Sequence, residues 1–264
     1  MAGTAGQFGI PEIPETKGAL GLTGSYVCAL SSLIPRGQVD ASTLASEGKL
    51  LQVGETIAGI VMFIDIGRFT SRSAELAPRQ TAFLVNKFFK TMWPLCEAAC
   101  ATFDKTIGDC VMLVLSDTLG CSAPRETSIS LALRILDFDP WSFTPHIGFA
   151  SGNMWLGLNG PPRAMSLSVY GPNVNLAARL LGRSLGNSIV LPTDLWREVE
   201  KSVVLPDSFS VQHKTSTRNT SPEGDDFVKD FPDLRYTICA RITKWGPVMG
   251  GERSFAVEGP TGDD

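Results

Sequence analysis

The central strand of the fold is predicted by residues 59–65, which have the sequence GIVMFID. A continuous apolar run of this length, without alternating polar residues, predicts a β-strand that is buried on both faces. Asp65 ends the run, and a carboxylate at the end of a buried strand costs free energy unless a partner satisfies its charge. The run therefore predicts the centre of the fold and a residue that could carry chemistry.

Helices and hairpins follow this strand along the chain. After a polar turn, apolar residues at helical spacing predict a helix over 76–100, with Pro94 as a kink or break. Further helices are predicted over 126–138, 173–183 and 194–203. Residues 101–115 predict two short strands around a tight Ile107-Gly108-Asp109 turn. A second pair of strands is predicted over 145–151 and 154–158, joined by a Gly152-Asn153 hairpin turn. Single strands are predicted over 188–191 and 235–241. This pattern predicts an α+β fold with a mixed, largely antiparallel sheet flanked by helices.

The composition divides the chain into three parts. Residues 1–55 are rich in Gly, Pro, Thr and Ser, and we expect an arm that packs on the core. Residues 56–243 form the main domain, within which 212–226 are polar and predict a flexible surface loop. Residues 244–264 predict a flexible tail.

Charge and cysteine content exclude several classes of protein. The 264 residues carry a net charge of -4, which argues against non-specific binding of nucleic acid but permits a nucleotide whose phosphates a metal ion neutralises. The six cysteines lack CxxC spacing, which indicates reduced thiols in a cytoplasmic protein. The apolar stretch over 19–34 is too short and too interrupted for a membrane span.

Two acids are candidates for metal binding. Asp65 ends the central strand, and Asp109 lies in the predicted hairpin turn. If the two segments are neighbours, the carboxylates meet at one edge of the sheet and provide the hard oxygen ligands that Mg²⁺ prefers. Each also has a structural interpretation, Asp65 as a helix N-cap and Asp109 as an ordinary turn residue.

A basic residue and an amide share one face of a predicted helix. Asn175 and Arg179 are four residues apart, so their side chains lie one turn from each other. A guanidinium beside an amide suits a phosphate and an adjacent sugar. The alternative is a helix cap followed by a solvated Arg. Lys105, four residues before Asp109, could donate to a base nitrogen or extend into solvent at the strand edge. Walker A, GxGxxG and GxSxG patterns are absent, and His146 is interpreted as structural.

The order and spacing of three segments resemble one family. Residues 63–70 (FIDIGRFT) and 105–109 (KTIGD) resemble the metal-binding segments of class III adenylate and guanylate cyclases, and 169–179 (VYGPNVNLAAR) resembles their transition-state segment. The resemblance extends over about 57–241, and residues 103–105 (FDK) and 174–179 (VNLAAR) are most similar to the soluble, bicarbonate-responsive adenylate cyclases. It implies a ferredoxin-like cyclase fold and the conversion of ATP to 3′,5′-cyclic AMP and pyrophosphate.

The resemblance also implies residue roles. Two Mg²⁺ ions per site, which Mn²⁺ can replace, would bind Asp65, Asp109 and the Ile66 carbonyl, and the ribose 3′-oxygen would attack the α-phosphate in line. Asn175 would position the ribose and Arg179 would meet the charge that develops on the α-phosphate. Family members form head-to-tail dimers with each site at the interface, so a homodimer is expected. Substrate contacts are implied for Lys105, Ser168, Phe69 and Thr70.

Base choice follows from hydrogen-bonding capacity. Lys105 can only donate, which suits the ring acceptor of adenine, and a Ser168 oxygen can accept from its amino group. Adenine is therefore favoured over guanine, with a guanylate cyclase as an alternative.

Three positions depart from the family pattern. Arg68 stands where a Gly is usual, Ser168 where an Asp is common, and Phe231 about where a Lys contacts the triphosphate, so that Lys229 or Lys214 would have to replace it. A weakly active or inactive regulatory or dimerisation module is therefore a further alternative.

Overall fold

The computed structural model describes residues 54–67, 69–137, 143–159, 166–184, 186–217 and 226–242. Arg68 and most of the arm and tail segments lie outside these ranges. The strands of the described part are β1 (Gly54–Ile66), β2 (Thr102–Ile107), β3 (Cys110–Leu115), β4 (Pro145–Asn159), β5 (Ser166–Tyr170), β6 (Ser188–Pro192), β7 (Phe209–Thr215) and β8 (Arg235–Arg241). Its α-helices are α1 (Phe69–Ala74), α2 (Pro78–Ala98), α3 (Pro124–Asp137), α4 (Pro172–Leu181) and α5 (Thr193–Val199), and a 3-10 turn spans Asp117–Leu119.

The strands form one sheet in the order β2-β3-β1-β4-β6-β8-β7, with β5 paired to β4. The β4–β6 pair is parallel and the other pairs are antiparallel, which confirms the predicted mixed, largely antiparallel sheet. Gly54 and Glu55, assigned to the arm from the sequence, are the first residues of β1.

Side chains of β1 alternate between two cores. Ile60, Met62 and Ile64 pack with Phe88 of α2 and with residues of α3 and α5. Val61 and Phe63 face the opposite core, which α4 covers. Apolar residues in both positions of the alternation explain why the run over 59–65 has no polar residue before Asp65.

Helix α4 lies very close to β4. A Cβ atom at Gly148 would overlap the backbone of Leu181, so only glycine permits this approach. The close contact fixes the helix that carries Asn175 and Arg179 against the centre of the sheet.

The predicted hairpin at Gly152-Asn153 is wrong. Strand β4 continues through both residues because they pair with Gly59 and Ala58 of β1, within a ladder that extends from Gly54–Gly157 to Ile66–Pro145. Thirteen consecutive pairs along β1 outweigh a local turn preference.

Three other local predictions need correction. Helix α2 continues through Pro94, so the predicted break does not occur, because Phe88, Met92 and Cys96 are buried on either side of it and hold the helix against the core. The polar turn after β1 contains the short helix α1. Residues 212–215, predicted as part of a loop, belong to β7 and pair with β8. None of the described helices is long and apolar enough to cross a membrane.

Candidate active site

The carboxylates of Asp65 and Asp109 meet at the end of β1. Antiparallel pairing of β1 with β3 runs to Ile64–Val111, and this brings the β2–β3 turn alongside Asp65. Gly108 forms that turn with φ of +66°, a conformation that favours glycine. The Ile66 amide donates to Asp65 Oδ1 at 2.9 Å. The sequence-predicted metal residues therefore lie together.

The electrostatics of this pair favour a cation. Burial, a hydrogen bond to Asp65 and repulsion by its charge raise the pKa of Asp109 to about 7. Burial and the charges of both carboxylates likewise raise the pKa of the neighbouring Cys110 thiol to about 12, so this thiol stays protonated at neutral pH. Two carboxylates that repel each other are stabilised by a divalent ion between them.

The donor set fits magnesium. Within the described ranges, no group of three or more His, Cys, Asp or Glu side chains is arranged to hold a metal. Mg²⁺ is commonly bound by one or two carboxylates together with waters and substrate phosphates, whereas a structural zinc site needs four protein ligands. Asp65 and Asp109 are therefore sufficient protein carboxylates for a magnesium–nucleotide site.

A buried carboxylate that the sequence analysis missed connects Lys105 and Ser168. The Asp104 side chain is fully buried; its Oδ2 accepts a hydrogen bond from Ser168 Oγ at 2.8 Å and lies 3.3 Å from Lys105 Nζ. Consecutive residues of a regular strand point to opposite faces, but the register of β2 shifts between Phe103 and Lys105. This β-bulge allows Asp104 and Lys105 to form an ion pair. The available signal in the sequence was the presence of an acidic residue, Asp104, within a predicted strand.

Lys105 and Ser168 differ in exposure. The Lys105 side chain is 37% exposed, and its Nζ lies 5.8 Å from the centre of the Tyr170 ring. Ser168 is fully buried, so its predicted contact with a base would require neighbouring groups to move. Tyr170 and its cross-strand partner Trp155 are both partly exposed.

A cleft beside α4 contains the other two predicted catalytic residues. Asn175 and Arg179 line it together with Tyr170, Asp230 and Phe231. Arg179 Nη2 lies 3.5 Å from Asp230 Oδ2, and both side chains are substantially exposed. Because Tyr170 borders both the cleft and Lys105, the predicted base, ribose and phosphate contacts form one continuous group.

The two lysines considered for the triphosphate do not line this cleft, and they differ in their surroundings. Lys214 Nζ lies 2.9 Å from Asp226 Oδ1, so its ammonium group is already paired with a carboxylate. Lys229 is exposed in the turn that precedes Phe231. Phe231 itself packs against the core that α4 covers.

The region after β1 contains the remaining predicted substrate residues. Phe69 and Thr70 begin α1, with Phe69 packed against the core and Thr70 exposed. His146 is the β4 partner of Asp65, and burial lowers the pKa of its imidazole. A Cβ at Gly67 would lie 2.8 Å from His146 Nε2, so the imidazole supports the chain at the start of this segment, in agreement with a structural role.

The site residues thus form two groups. Asp65, Ile66 and Asp109 lie at the end of β1, whereas the residues that line the cleft beside α4 include none of these three. Residues 54–217 match the family model described as "Adenylate and Guanylate cyclase catalytic domain". The chain belongs to this family.

Solved structures of cyclase catalytic domains share the fold. The adenylyl cyclase CyaB of P. aeruginosa is 20% identical with a TM-score of 0.59, and the match covers 72% of this chain and 97% of that one. The guanylate cyclase domain of RhGC from Catenaria anguillulae, in complex with GTP, is 17% identical with a TM-score of 0.59, covering 71% and 98%. A rhodopsin-guanylyl cyclase core with converted specificity, in complex with ATPalphaS, is 18% identical with the same TM-score, covering 71% and 98%. Comparison with curated proteins gives no sequence match. Cyclases named for either base thus share this fold.

Proposed function

We propose that this cyclase domain is an adenylate cyclase that converts ATP to 3′,5′-cyclic AMP and pyrophosphate. The observation that carries the proposal is the convergence of Asp65 and Asp109 at the end of β1, where burial and mutual repulsion raise the pKa of Asp109 to about 7. A site of this kind gains free energy when a metal–nucleotide complex supplies positive charge.

Magnesium would be held by the Asp65 and Asp109 carboxylates, with the Ile66 carbonyl as a further ligand. Bound there, it would favour ionisation of the ribose 3′-hydroxyl and neutralise charge on the phosphates. The Ile66 amide fixes the Asp65 carboxylate, so the two carboxylates would also orient the bound complex.

Arg179 and Asn175 would act at the phosphate and ribose end of the nucleotide. Both lie on α4, one turn apart, and line one cleft. The Arg179 guanidinium is suited to the charge that develops on the α-phosphate as the 3′-oxygen attacks and pyrophosphate leaves. The Asn175 amide can hold the ribose in the orientation that this attack requires.

Base preference rests on Lys105. Its ammonium group donates hydrogen bonds and cannot accept them. The N1 atom of adenine accepts a hydrogen bond, whereas N1 of guanine carries a hydrogen and would face a second donor. A mismatch of this kind leaves polar groups without partners once the bound base covers them, which favours discrimination.

A homodimer would complete each site. The metal carboxylates and the cleft of one chain form separate groups, and a head-to-tail pair would place the metal group of one subunit opposite the cleft of its twin. A symmetric pair of this kind would contain two equivalent sites.

The proposal is tested with purified full-length chain, Mg²⁺ and either ATP or GTP, followed by chromatographic detection of cyclic nucleotide. We expect cyclic AMP from ATP and little cyclic GMP. Asp65→Asn should abolish the product, while Arg125→Ala, which removes an exposed ion pair with Glu198, should not. Cyclic GMP as the main product would instead identify a guanylate cyclase.

A catalytically weak or inactive module is the second candidate. The anionic Asp230 and the apolar Phe231 line the cleft in which a triphosphate would need cations. No cyclic nucleotide at high protein concentration, with either Mg²⁺ or Mn²⁺, would support this candidate and refute the first.

A further inference from the structure

The buried Asp104 carboxylate is the most unusual feature near the proposed base site. Its side chain is inaccessible to solvent, and its contacts include the Ser168 hydroxyl at 2.8 Å and the Lys105 ammonium at 3.3 Å. A charge without contact with water is costly unless it is paired and hydrogen-bonded. Lys105 and Ser168 both belong to the group for which base contacts are predicted.

The backbone is shaped to produce this contact. The β-bulge between Phe103 and Lys105 brings two consecutive side chains into an ion pair, which a regular strand does not allow. Ser168 approaches from β5, a strand that pairs with β4 and not with β2. The contact therefore joins segments 64 residues apart.

Exposure separates the roles of these three residues. The Lys105 side chain is 37% exposed and its ammonium lies 5.8 Å from the centre of the partly exposed Tyr170 ring. Ser168 is fully buried and its hydroxyl hydrogen is directed to Asp104. A base that approaches from solvent meets Lys105 and Tyr170 before it meets Ser168.

From this arrangement we propose that Asp104 is a positioning residue for base selection, and that Ser168 acts on the base through Asp104 and not by direct contact. The inference rests on the proposed function, because it concerns the base of the same nucleotide. Ser168 holds the carboxylate, and the carboxylate holds the Lys105 ammonium where it donates to N1 of adenine. Selection would thus depend on the ring nitrogen more than on the 6-amino group.

Three triphosphates test the assignment. Purine riboside triphosphate lacks only the 6-amino group of ATP, and 1-deaza-ATP lacks only the N1 acceptor. Wild type should prefer ATP over 1-deaza-ATP by about tenfold or more in kcat/KM, since a hydrogen bond to a charged donor is lost. Its preference over purine riboside triphosphate should be about threefold or less, because no direct contact to the amino group is made.

The variants Asp104→Asn and Ser168→Ala distinguish positioning from direct contact. Asp104→Asn should reduce the preference for ATP over 1-deaza-ATP by about tenfold, because the ammonium loses its counter-charge. Ser168→Ala should reduce the same preference by less and leave the preference over purine riboside triphosphate unchanged. Thr102→Val, which removes a buried hydroxyl without a hydrogen-bond partner from the same strand, should alter neither ratio and serves as the control.

Opposite results would overturn the assignment. It fails if Asp104→Asn retains the wild-type ratio for 1-deaza-ATP, or if Ser168→Ala changes only the ratio for purine riboside triphosphate. Should Asp104→Asn not fold, Ser168→Ala decides alone, because it retains both charges.

Binding measurements separate this inference from the proposed function. The 3′-deoxy forms of the three triphosphates lack the attacking oxygen and can bind without reacting. Calorimetry with these forms gives their dissociation constants, from which the preference for the ATP form over each analogue is calculated. Discrimination without turnover would refute the cyclase activity and support the role of Asp104. Turnover with preference ratios that Asp104→Asn does not change would support the cyclase activity and refute the role of Asp104. A chain that binds none of the triphosphates would refute both the activity and the role of Asp104.

Discussion

Asp65 and Asp109 share a hydrogen bond between their carboxyl groups, although they belong to segments of the chain more than forty residues apart. Burial and this contact raise the pKa of Asp109 to about 7. Below about pH 7 the folded chain therefore holds a proton on Asp109, at the position where the sequence predicts metal binding.

Metal-free protein should lose stability as pH rises from about 4 to about 7. The pKa of Asp109 is raised from 3.8 to about 7 on folding, so the folded state binds more protons than the unfolded state over this interval. In the presence of chelator, the midpoint of thermal unfolding should be lower at pH 8 than at pH 5. Asp109→Asn should reduce the difference, whereas Asp207→Asn at an exposed position should not. A pH dependence that is identical in wild type and Asp109→Asn would contradict the raised pKa of Asp109.

Magnesium should reverse this loss. At pH 8 both carboxylates are available to the ion, and a ligand that binds only the folded state raises stability with the logarithm of its concentration. Thermal unfolding at increasing Mg²⁺ should show a rising midpoint at pH 8 and a smaller rise at pH 5.5, where Asp109 holds its proton. Asp65→Asn should remove the response, and Glu198→Gln, which changes an exposed carboxylate on α5, should retain it. An equal response in Asp65→Asn would place the ion elsewhere.

The Arg179–Asp230 ion pair should weaken nucleotide binding. The two groups are 3.5 Å apart and exposed, and a triphosphate in the cleft must compete with Asp230 for the guanidinium. Asp230 has φ of +69°, which Asn tolerates well, so Asp230→Asn should preserve the turn. We expect KM for ATP to fall by about two- to threefold, as for a surface ion pair, with kcat unchanged. The effect should diminish at high salt, and an increase in KM would show instead that Asp230 positions Arg179.

The buried Thr102 hydroxyl should lower the free energy of unfolding. Its hydroxyl is buried without a hydrogen-bond partner. An unsatisfied buried hydroxyl costs on the order of 1–3 kcal/mol, so Thr102→Val should raise the free energy of unfolding by about 1 kcal/mol. Urea denaturation measures the change, and Ser168→Ala, which removes a partner of Asp104, should lower stability in the same assay. A destabilised Thr102→Val would indicate that the hydroxyl has a partner, such as a buried water.

Local sequence patterns were sufficient to predict the central strand, the turn at Gly108 and helix α4. The apolar run before Asp65 predicted a strand buried on both faces, and the structure places it between two cores. The turn at Gly108 and helix α4 were likewise predicted, because the positive φ of a glycine and a helical apolar period are properties of a few neighbouring residues. The Gly152-Asn153 hairpin failed because pairing with β1 is a long-range property that no local window contains.

The buried polar contacts could not be predicted in the same way. Asp104 meets Ser168 across 64 residues, and the contact depends on a bulge that the sequence does not mark. Family resemblance directed attention to Lys105 as part of a matching segment and to Ser168 as a departure from the family pattern. It assigned no role to the Asp104 carboxylate, whose contacts with both residues depend on how the strands assemble.

A site shared between two subunits should be recovered by mixing two inactive chains. Asp65→Ala removes a carboxylate of the metal group, and Arg179→Ala removes the guanidinium of the cleft, which should cost on the order of 10²–10³ in rate. In an equal mixture with random exchange, half of the dimers combine the two variants, and each of these contains one intact site. Activity should therefore return to about a quarter of the wild-type value, since two equivalent sites exist per wild-type dimer. Refolding the chains together and measuring cyclic AMP tests this, with each variant refolded alone as the control. If the mixture is no more active than its components, the metal group and the cleft of a single chain must act together.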